Sequence, residues 1–154
     1  MDLKPGDKAP SFKLATDGGG DITLAALKGR PFVLYFYPKD DTSGCTKEAE
    51  GFSKDRRKFE AAGVRVVGVS KDSVASHDKF KAKYKLNLIL ASDPDTNTAQ
   101  SYGVWGEKSM YGRKYMGMER ATFLVDAKGV IHQIWRKVKV PGHVEAVLAV
   151  VKTL

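Results

Sequence analysis

Residues 32–52 read FVLYFYPKDDTSGCTKEAEGF, and this stretch decides the fold. Its first six residues are apolar, β-branched or aromatic, which predicts a buried strand. The strand should end at Pro38, because proline cannot donate a hydrogen bond inside a sheet. Beyond the polar loop, Ala49, Phe52 and Phe59 fall near one face of a helix. The stretch therefore predicts a strand, a loop and a helix, with Cys45 in the first turn of that helix.

Cys45 is the only cysteine in the 154 residues. Backbone N–H groups in the first turn of a helix lack partners within the helix and carry partial positive charge. That charge favours the thiolate, which is the nucleophilic form of cysteine. A lone cysteine can also be an inert buried side chain. The position of Cys45 between a strand and a helix favours the reactive interpretation.

The net charge of +8 raises the question of a nucleic-acid partner. The 26 Lys and Arg residues are spread along the chain, and the densest groups, at 54–58 and 136–139, are short. This distribution is typical of solvated helix and loop surfaces. Specific nucleic-acid binding is therefore not expected.

The length and composition predict one domain spanning residues 1–154. The start of the chain has no hydrophobic signal region, and no apolar stretch approaches the length of a membrane span. A single cysteine cannot form an internal disulfide, which suits a reducing compartment. We expect a cytoplasmic protein without a membrane partner.

Strands and helices alternate along the rest of the chain. Short strands are predicted at 22–24, 64–70 and 86–90. The first long helix should run to about Ala62 and stop at Gly63. Helices should follow Asp72-Ser73, Asp93-Pro94-Asp95 and Pro141-Gly142, and a hairpin should join 121–125 to 130–135. Residues 103–118, rich in Gly, Met and aromatics, are predicted to be a long surface loop. The pattern predicts a three-layer α/β domain with a mixed sheet and helices on both faces, of which the thioredoxin-like fold is one variant.

Several residues near Cys45 suit attack on a peroxide, which needs a thiolate and donors that hold the peroxide oxygens. Thr42 offers a hydroxyl, and the amides of Gly44 and Cys45 can face a substrate oxygen. Pro38 can shield the sulfur from water. The same residue types also occur in ordinary turns, so each one alone is weak evidence.

The motif Pro38-x-x-x-Thr42-x-x-Cys45 resembles the active-site motif of the peroxiredoxins. Residues 35–38, 102–108, 119–126 and 136–143 are similar to the Q-type branch, also called bacterioferritin comigratory proteins. The resemblance implies a thioredoxin-like fold and reduction of hydrogen peroxide and organic hydroperoxides. It implies that Cys45 is the peroxidatic cysteine, with Thr42 as its hydroxyl partner and Arg120 as the guanidinium that holds thiolate and peroxide. It further implies that Glu48 orients Arg120.

One feature of the family is absent from the sequence. Family members with an internal resolving cysteine carry it five residues after the peroxidatic one, or on the helix that here includes Phe80. Those positions are Glu50 and, in approximate register, Lys81. The chain is thus predicted to be a monomeric one-cysteine form, without cofactor or metal, whose reductant is an external thiol: glutathione, a glutaredoxin or a thioredoxin.

Other thiol chemistries fit less well. A thioredoxin-type oxidoreductase needs Cys-x-x-Cys, but Thr42 and Glu48 flank Cys45 at that spacing. A cysteine hydrolase needs a histidine beside the thiol, whereas the three histidines, at 77, 132 and 143, are predicted to be surface or core residues. One cysteine and scattered histidines give no metal-ligand spacing. The remaining alternative is a non-catalytic redox sensor or holdase that uses oxidation of Cys45.

Overall fold

The computed structural model describes residues 3–154. Its strands are β1 (Lys13–Thr16), β2 (Asp21–Thr23), β3 (Phe32–Phe36), β4 (Arg65–Ser70), β5 (Ile89–Ser92), β6 (Trp105–Met110), β7 (Arg113–Met118), β8 (Ala121–Val125) and β9 (Ile131–Trp135). Its helices are α1 (Leu24–Leu27), α2 (Ser43–Lys54), α3 (Arg56–Ala61), α4 (Val74–Tyr84), α5 (Asn97–Ser101) and α6 (His143–Val151), with a 3₁₀ turn at Asp17–Gly19.

The main sheet has the strand order β2-β1-β5-β4-β3-β8-β9. The strand pairs β3–β4 and β4–β5 are parallel, and every other pair in this sheet is antiparallel. All five residues of β3 are buried, as expected of a central strand covered on both faces. The sheet is therefore mixed, and the strand that leads to Cys45 lies near its middle.

Two apolar clusters cover the two faces of the sheet. One contains side chains of α2, α3, α4 and α6, including Phe52, Phe59 and Phe80. The other contains side chains of α1, α5 and the N-terminal segment, including Leu27, Ala99 and Phe12. The predicted thioredoxin-like three-layer α/β architecture is confirmed, with the longer helices gathered on one face.

The segment predicted as a long loop is a hairpin instead. Strands β6 and β7 pair over their full length, from Trp105 opposite Met118 to Met110 opposite Arg113. The two residues between them, Tyr111 and Gly112, have φ values of 53° and 78°, the left-handed backbone that a two-residue hairpin turn requires. The prediction was wrong because both faces of the hairpin are largely exposed, so its sequence lacks the alternating apolar pattern of a half-buried strand.

Three predicted boundaries also differ from the structure. The helix predicted to reach Ala62 is broken at Asp55 into α2 and α3, while β5 begins three residues later than the strand predicted at 86–90. Leu24 begins α1 rather than ending a strand, because the Thr23 hydroxyl accepts a hydrogen bond from the Ala26 amide and caps the helix.

Other predicted elements are confirmed. The hairpin of β8 and β9 forms, α4 is capped by Ser73, and α6 follows Gly142. Asp93 accepts hydrogen bonds from the amides of Thr98 and Ala99 at the start of α5. The predicted absence of a signal region rests partly on residues 1 and 2, which lie outside the described residues.

The packing of Gly68 against Tyr35 gives a test of the core beneath the site. A β-carbon at position 68 would lie 2.7 Å from the ring and hydroxyl of Tyr35, which is fully buried and stacked on Phe52. Gly68→Ala should therefore lower the free energy of unfolding by about 1–3 kcal/mol, the usual cost of overpacking a core. Urea unfolding followed by circular dichroism measures the change.

The matched control is Gly106→Ala, because a β-carbon at Gly106 in β6 meets nothing within 4 Å. It should change the free energy of unfolding by less than about 0.5 kcal/mol. Equal effects of the two substitutions would contradict the steric argument.

Candidate active site

The strand-to-helix turn after β3 places Cys45. Helix α2 begins at Ser43, so Cys45 is its third residue and lies in the first turn, as predicted. The side chain is almost fully buried, with 1% of its surface exposed. The local sequence enforces this placement, because Ala49 and Phe52 on the same helix are packed into the core that surrounds the sulfur. The sulfur is thus shielded from solvent in the first turn of a helix, where backbone amides have no partners within the helix.

Arg120 brings a positive charge to the sulfur from 75 residues away along the chain. It directly precedes β8, whose first residue, Ala121, pairs with Phe36 at the end of β3. Its Nη2 donates to Cys45 Sγ over 3.3 Å, and its Nη1 donates to Glu48 Oε1 over 2.7 Å. One planar guanidinium therefore bridges the thiol and the carboxylate.

Gly44 makes room for this bridge. A β-carbon at position 44 would lie 3.2 Å from Arg120 Nη2, so a larger residue would press on the guanidinium. The absence of a side chain at Gly44 therefore lets the guanidinium lie close to the backbone of the turn.

Glu48 is fully buried one helical turn beyond Cys45. Burial raises the pKa of Glu48 to about 7, against the opposing effect of Arg120. For Arg120, burial acts to lower the pKa, but the charges of Glu48 and Cys45 outweigh it and the pKa is raised. The guanidinium stays charged, and Glu48 is its buried counterion at and above neutral pH.

Two residues that the sequence did not single out complete the buried polar site. His143, predicted to be a surface or core residue, is 5% exposed, and its Nε2 lies 2.8 Å from Thr122 Oγ1 and 4.0 Å from Glu48 Oε2. Burial, followed by the charge of Arg120, lowers the pKa of His143 to about 4, so the ring is neutral at pH 7. In the sequence, His143 was marked only by its position at the start of a predicted helix. That position does not indicate a catalytic or binding role.

Tyr35 was also overlooked as a site residue. Its hydroxyl is buried and, among residues 3–154, has no hydrogen-bond partner. Burial, then the charges of Glu48 and Cys45, raise its pKa well above the ordinary value. A phenol in β3 looks like core filling in the sequence, because alternate positions of that strand are all aromatic or aliphatic.

The remaining predicted site residues lie at the rim. Thr42 is the N-cap residue of α2, and its exposed hydroxyl donates to the Lys39 carbonyl over 2.9 Å rather than to the sulfur. Pro38 is half-buried at the strand exit. The structure therefore joins Cys45, Arg120, Glu48 and Gly44 in direct contacts and leaves Thr42 and Pro38 on the loop that borders them.

The two positions predicted to lack a resolving cysteine lie on different helices. Glu50 is exposed on α2. Lys81 lies on α4 and donates to Asp17 over 2.7 Å, so it links α4 to the 3₁₀ turn. Neither side chain can form a disulfide.

In residues 3–154, no group of three or more His, Cys, Asp or Glu side chains could hold a metal ion. No helix in the same range is long and apolar enough to cross a membrane.

Comparison with known proteins identifies the family. The profile described as "AhpC/TSA family" matches residues 5–134. The chain belongs to the AhpC/TSA family. It is 52% identical over 148 residues to the putative peroxiredoxin bcp of Coxiella burnetii, covering 96% of this chain and 98% of that protein. It is 42% identical over 154 residues to peroxiredoxin Bcp of Bacillus subtilis, covering 100% and 98%.

Solved structures of similar proteins point to the same family. A Cys-to-Ser mutant of Xylella fastidiosa PrxQ superposes with a TM-score of 0.94 at 39% identity, covering 99% of this chain and 98% of the other. The Xanthomonas campestris bacterioferritin comigratory protein, studied for its alkyl peroxide reduction activity, superposes with a TM-score of 0.88 at 46% identity, covering 92% and 90%. The AhpC/TSA chain is thus a thiol-dependent peroxidase of the peroxiredoxin Q type with one cysteine, which favours the enzyme over the sensor alternative.

The raised pKa of Glu48 predicts a distinct pH dependence of stability. In the folded protein the Glu48 carboxyl keeps its proton up to a pH of about 7, whereas the ordinary pKa of a glutamate is 4.5. The stability that the protonated group contributes is therefore complete below pH 4.5 and is lost as the pH rises through about 7. Glu48→Gln keeps the shape and removes the titration.

The measurement is the free energy of unfolding of wild type and Glu48→Gln between pH 4 and pH 8, a range of about four units around the titration. The free energy of unfolding of wild type, relative to that of Glu48→Gln, should decrease as the pH rises across that range. Glu50→Gln is the control, because Glu50 is exposed on the same helix. A constant difference between wild type and Glu48→Gln would contradict the shifted titration.

Proposed function

We propose that Cys45 is the peroxidatic cysteine of this peroxidase and that its substrates are hydrogen peroxide and organic hydroperoxides. The observation that supports this most directly is the 3.3 Å contact between Arg120 Nη2 and Cys45 Sγ. A cation beside the sulfur stabilises the thiolate and later the negative charge on the leaving oxygen. The alkyl peroxide activity described for the Xanthomonas campestris relative supports the organic substrates.

The proposed first step is nucleophilic substitution at oxygen. The Cys45 thiolate attacks one peroxide oxygen, the O–O bond breaks, and the other oxygen leaves as hydroxide or alkoxide, which takes up a proton to become water or an alcohol. The sulfur is oxidised to sulfenic acid and the peroxide is reduced. Arg120, held by Glu48, neutralises charge on the departing oxygen.

The other site residues act at the rim of this reaction. We propose that the Thr42 hydroxyl turns from the Lys39 carbonyl to donate to, or accept from, the peroxide once it is bound. The amides of Gly44 and Cys45, which in the first turn of α2 have no partner within the helix, are further donors to the peroxide oxygens. Pro38 limits the access of water to the sulfur from the strand exit.

Resolution requires a thiol from outside the chain, since Cys45 is the only cysteine. An external thiol attacks the sulfenic acid, releases water and leaves a mixed disulfide. A second thiol then releases Cys45 and forms a disulfide with the first. We propose glutathione, a glutaredoxin or a thioredoxin as this reductant.

We propose a monomeric enzyme in the cytoplasm, folded as one domain over residues 1–154. A sulfur that is 1% exposed does not readily meet the sulfur of a second copy, which argues against a dimer linked through Cys45. The reducing thiol pool that the mechanism needs supports the cytoplasm.

Replacement of the sulfur tests the central assignment. Cys45→Ser is nearly isosteric, so the protein should fold, but peroxide consumption with any thiol reductant should fall to background because the serine hydroxyl is a far weaker nucleophile. The measurement is peroxide loss with circular dichroism as the folding check. Turnover by a folded Cys45→Ser protein would rule the assignment out.

Counting turnovers separates the peroxidase from the sensor alternative on the same protein. With excess thiol, an enzyme consumes many peroxide equivalents per chain, whereas a sensor consumes about one. We expect sustained consumption with at least one of the three reductant classes.

The absence of a second cysteine makes a mass prediction. Without thiol, Cys45 sulfenic acid has no partner in the chain, so intact mass should show added oxygen that grows toward sulfinic acid as peroxide rises. Glutathione should convert the sulfenic acid to a mixed disulfide. An obligatory Cys45-to-Cys45 dimer as the main product would contradict the external-thiol mechanism.

A further inference from the structure

A buried polar cluster fixes the loop between β3 and Cys45. The carboxylate of Asp40, 4% exposed, lies 2.7 Å from His77 Nδ1. It also accepts hydrogen bonds from Tyr37 Oη, over 2.6 Å, and from Ser76 Oγ, over 2.8 Å. His77 is fully buried on α4, and its Nε2 lies 2.9 Å from the carbonyl oxygen of Ala91 in β5. The cluster thus connects the active-site loop to a helix and a strand.

The geometry defines the protonation of the cluster. The two ring nitrogens of His77 face a carboxylate and a carbonyl, and both of those groups are acceptors. Both bonds form together when each nitrogen carries a proton, which makes the ring an imidazolium. The Asp40 side chain faces His77, Tyr37 and Ser76 at once, and its Oδ2 is paired with His77 Nδ1. The cluster is therefore a buried, fully bonded ion pair.

Further bonds hold the same loop. The Asp40 amide donates to Asp72 Oδ2 over 2.8 Å, and Ser70 Oγ donates to that same oxygen over 2.6 Å. Next to it, Asp41 has a φ of 60° and accepts from Lys83 Nζ over 2.7 Å and from Tyr84 Oη. Asp40 and Asp41 are both bonded to α4, but only the Asp40 contacts are buried.

We propose that Asp40 and His77 are positioning residues for the peroxidase reaction: their buried ion pair clamps the loop of residues 38–44 onto α4 and so holds Cys45 in line with Arg120. This rests on the proposed function of Cys45. Asp40 precedes Cys45 by five residues, and the loop between them ends in the first turn of α2. When the loop shifts, the sulfur leaves the guanidinium, and misplacement of a nucleophile by about 1 Å slows a reaction severely.

The ion pair between Asp40 and His77, called the clamp from here on, should weaken as the pH rises. Burial acts to lower the pKa of His77, but the hydrogen bond and charge of Asp40 outweigh it, with help from the Ala91 carbonyl and Asp72, so the pKa is raised above 6.5. Tyr37, the other titratable group facing the ring, stays neutral because burial raises its pKa well above the ordinary value. The clamp is complete below pH 6.5 and is lost as the pH rises through the raised pKa.

His77→Gln and Asp40→Asn test the clamp on the full chain. Gln cannot supply a charged donor to Asp40, and Asn places an amide among the donors of His77, Tyr37 and Ser76. Asp41→Asn is the matched control, because it removes a charge from the same loop at an exposed contact with the same helix. Urea unfolding confirms that each variant is folded.

Hydrogen exchange without peroxide is the first readout. After correction for intrinsic rates, the hydrogen-bonded amides of Asp40 and Thr46 should exchange about tenfold faster in His77→Gln and Asp40→Asn, with less than about twofold change in Asp41→Asn. In wild type, the same amides should lose protection as the pH rises above 6.5. If either clamp variant does not fold, this wild-type profile still decides the question. Unchanged protection of the Asp40 and Thr46 amides in the variants, or pH-independent protection in wild type, would overturn the clamp.

The rate of sulfenic acid formation is the second readout. It should fall about tenfold in both clamp variants at pH 6.5, and the ratio of wild-type to variant rate should approach one at alkaline pH, where wild type has lost the same charge. A ratio that does not change with pH would assign these residues to stability alone and overturn the proposal. Failure of the proposed function would appear separately, as turnover by Cys45→Ser with the exchange results intact.

Discussion

The guanidinium of Arg120 is the constraint on which the site depends. A fully buried carboxylate such as Glu48 is costly unless a charge is bonded to it, and Arg120 provides that charge through one nitrogen while its other terminal nitrogen meets the sulfur. Because the guanidinium is planar and rigid, fixing one of these contacts fixes the direction of the other. The counterion of Glu48 and the donor to Cys45 Sγ are therefore a single group.

Two separate parts of the fold bring the sulfur and the guanidinium together. The strand β3 and helix α2 deliver the sulfur, while the turn into β8 delivers the arginine. Glu119, next to Arg120, receives two hydrogen bonds from the guanidinium of Arg136, at 2.9 and 3.0 Å, and one from the amide of Lys137. The Arg120 carbonyl also accepts a hydrogen bond from the Val138 amide over 3.0 Å, so the backbone on both sides of this residue is tied to the segment 136–138.

Local patterns in the sequence were sufficient for much of the fold. The apolar run of β3, the cap at Ser73 and the hairpin turn at 126–129 each act over a few residues, so they can be recognised in the chain itself. The hairpin of β6 and β7 was missed because its exposed faces carry no pattern, and its turn depends on positive φ at Tyr111, a residue that rarely adopts it.

Less of the candidate site than of the fold could be predicted from the sequence. Cys45 stands out because of its position, but Arg120, Glu48 and His143 are joined by tertiary contacts across up to 95 residues of the chain, which no local pattern encodes. Resemblance to a family suggested Arg120 and Glu48 but not His143, His77 or Tyr35. Burial singles out all three. The polar partners of the two histidines and, among residues 3–154, the unpartnered hydroxyl of Tyr35 do so as well, and these are properties of the folded chain alone.

The pairing of β3 with β8 also makes the site a product of strand register. Phe36 lies opposite Ala121, so the residue before β8 falls beside the exit of β3. A slip of two residues would carry Arg120 about 7 Å along the sheet and out of reach of the sulfur, and a slip of one would turn the side chains of β8 to the opposite face. The turn at 126–129 lies at the far end of β8. Insertions in that turn should leave the site intact, whereas a single residue added between Glu119 and Ala121 would separate the guanidinium from the thiol without changing either one.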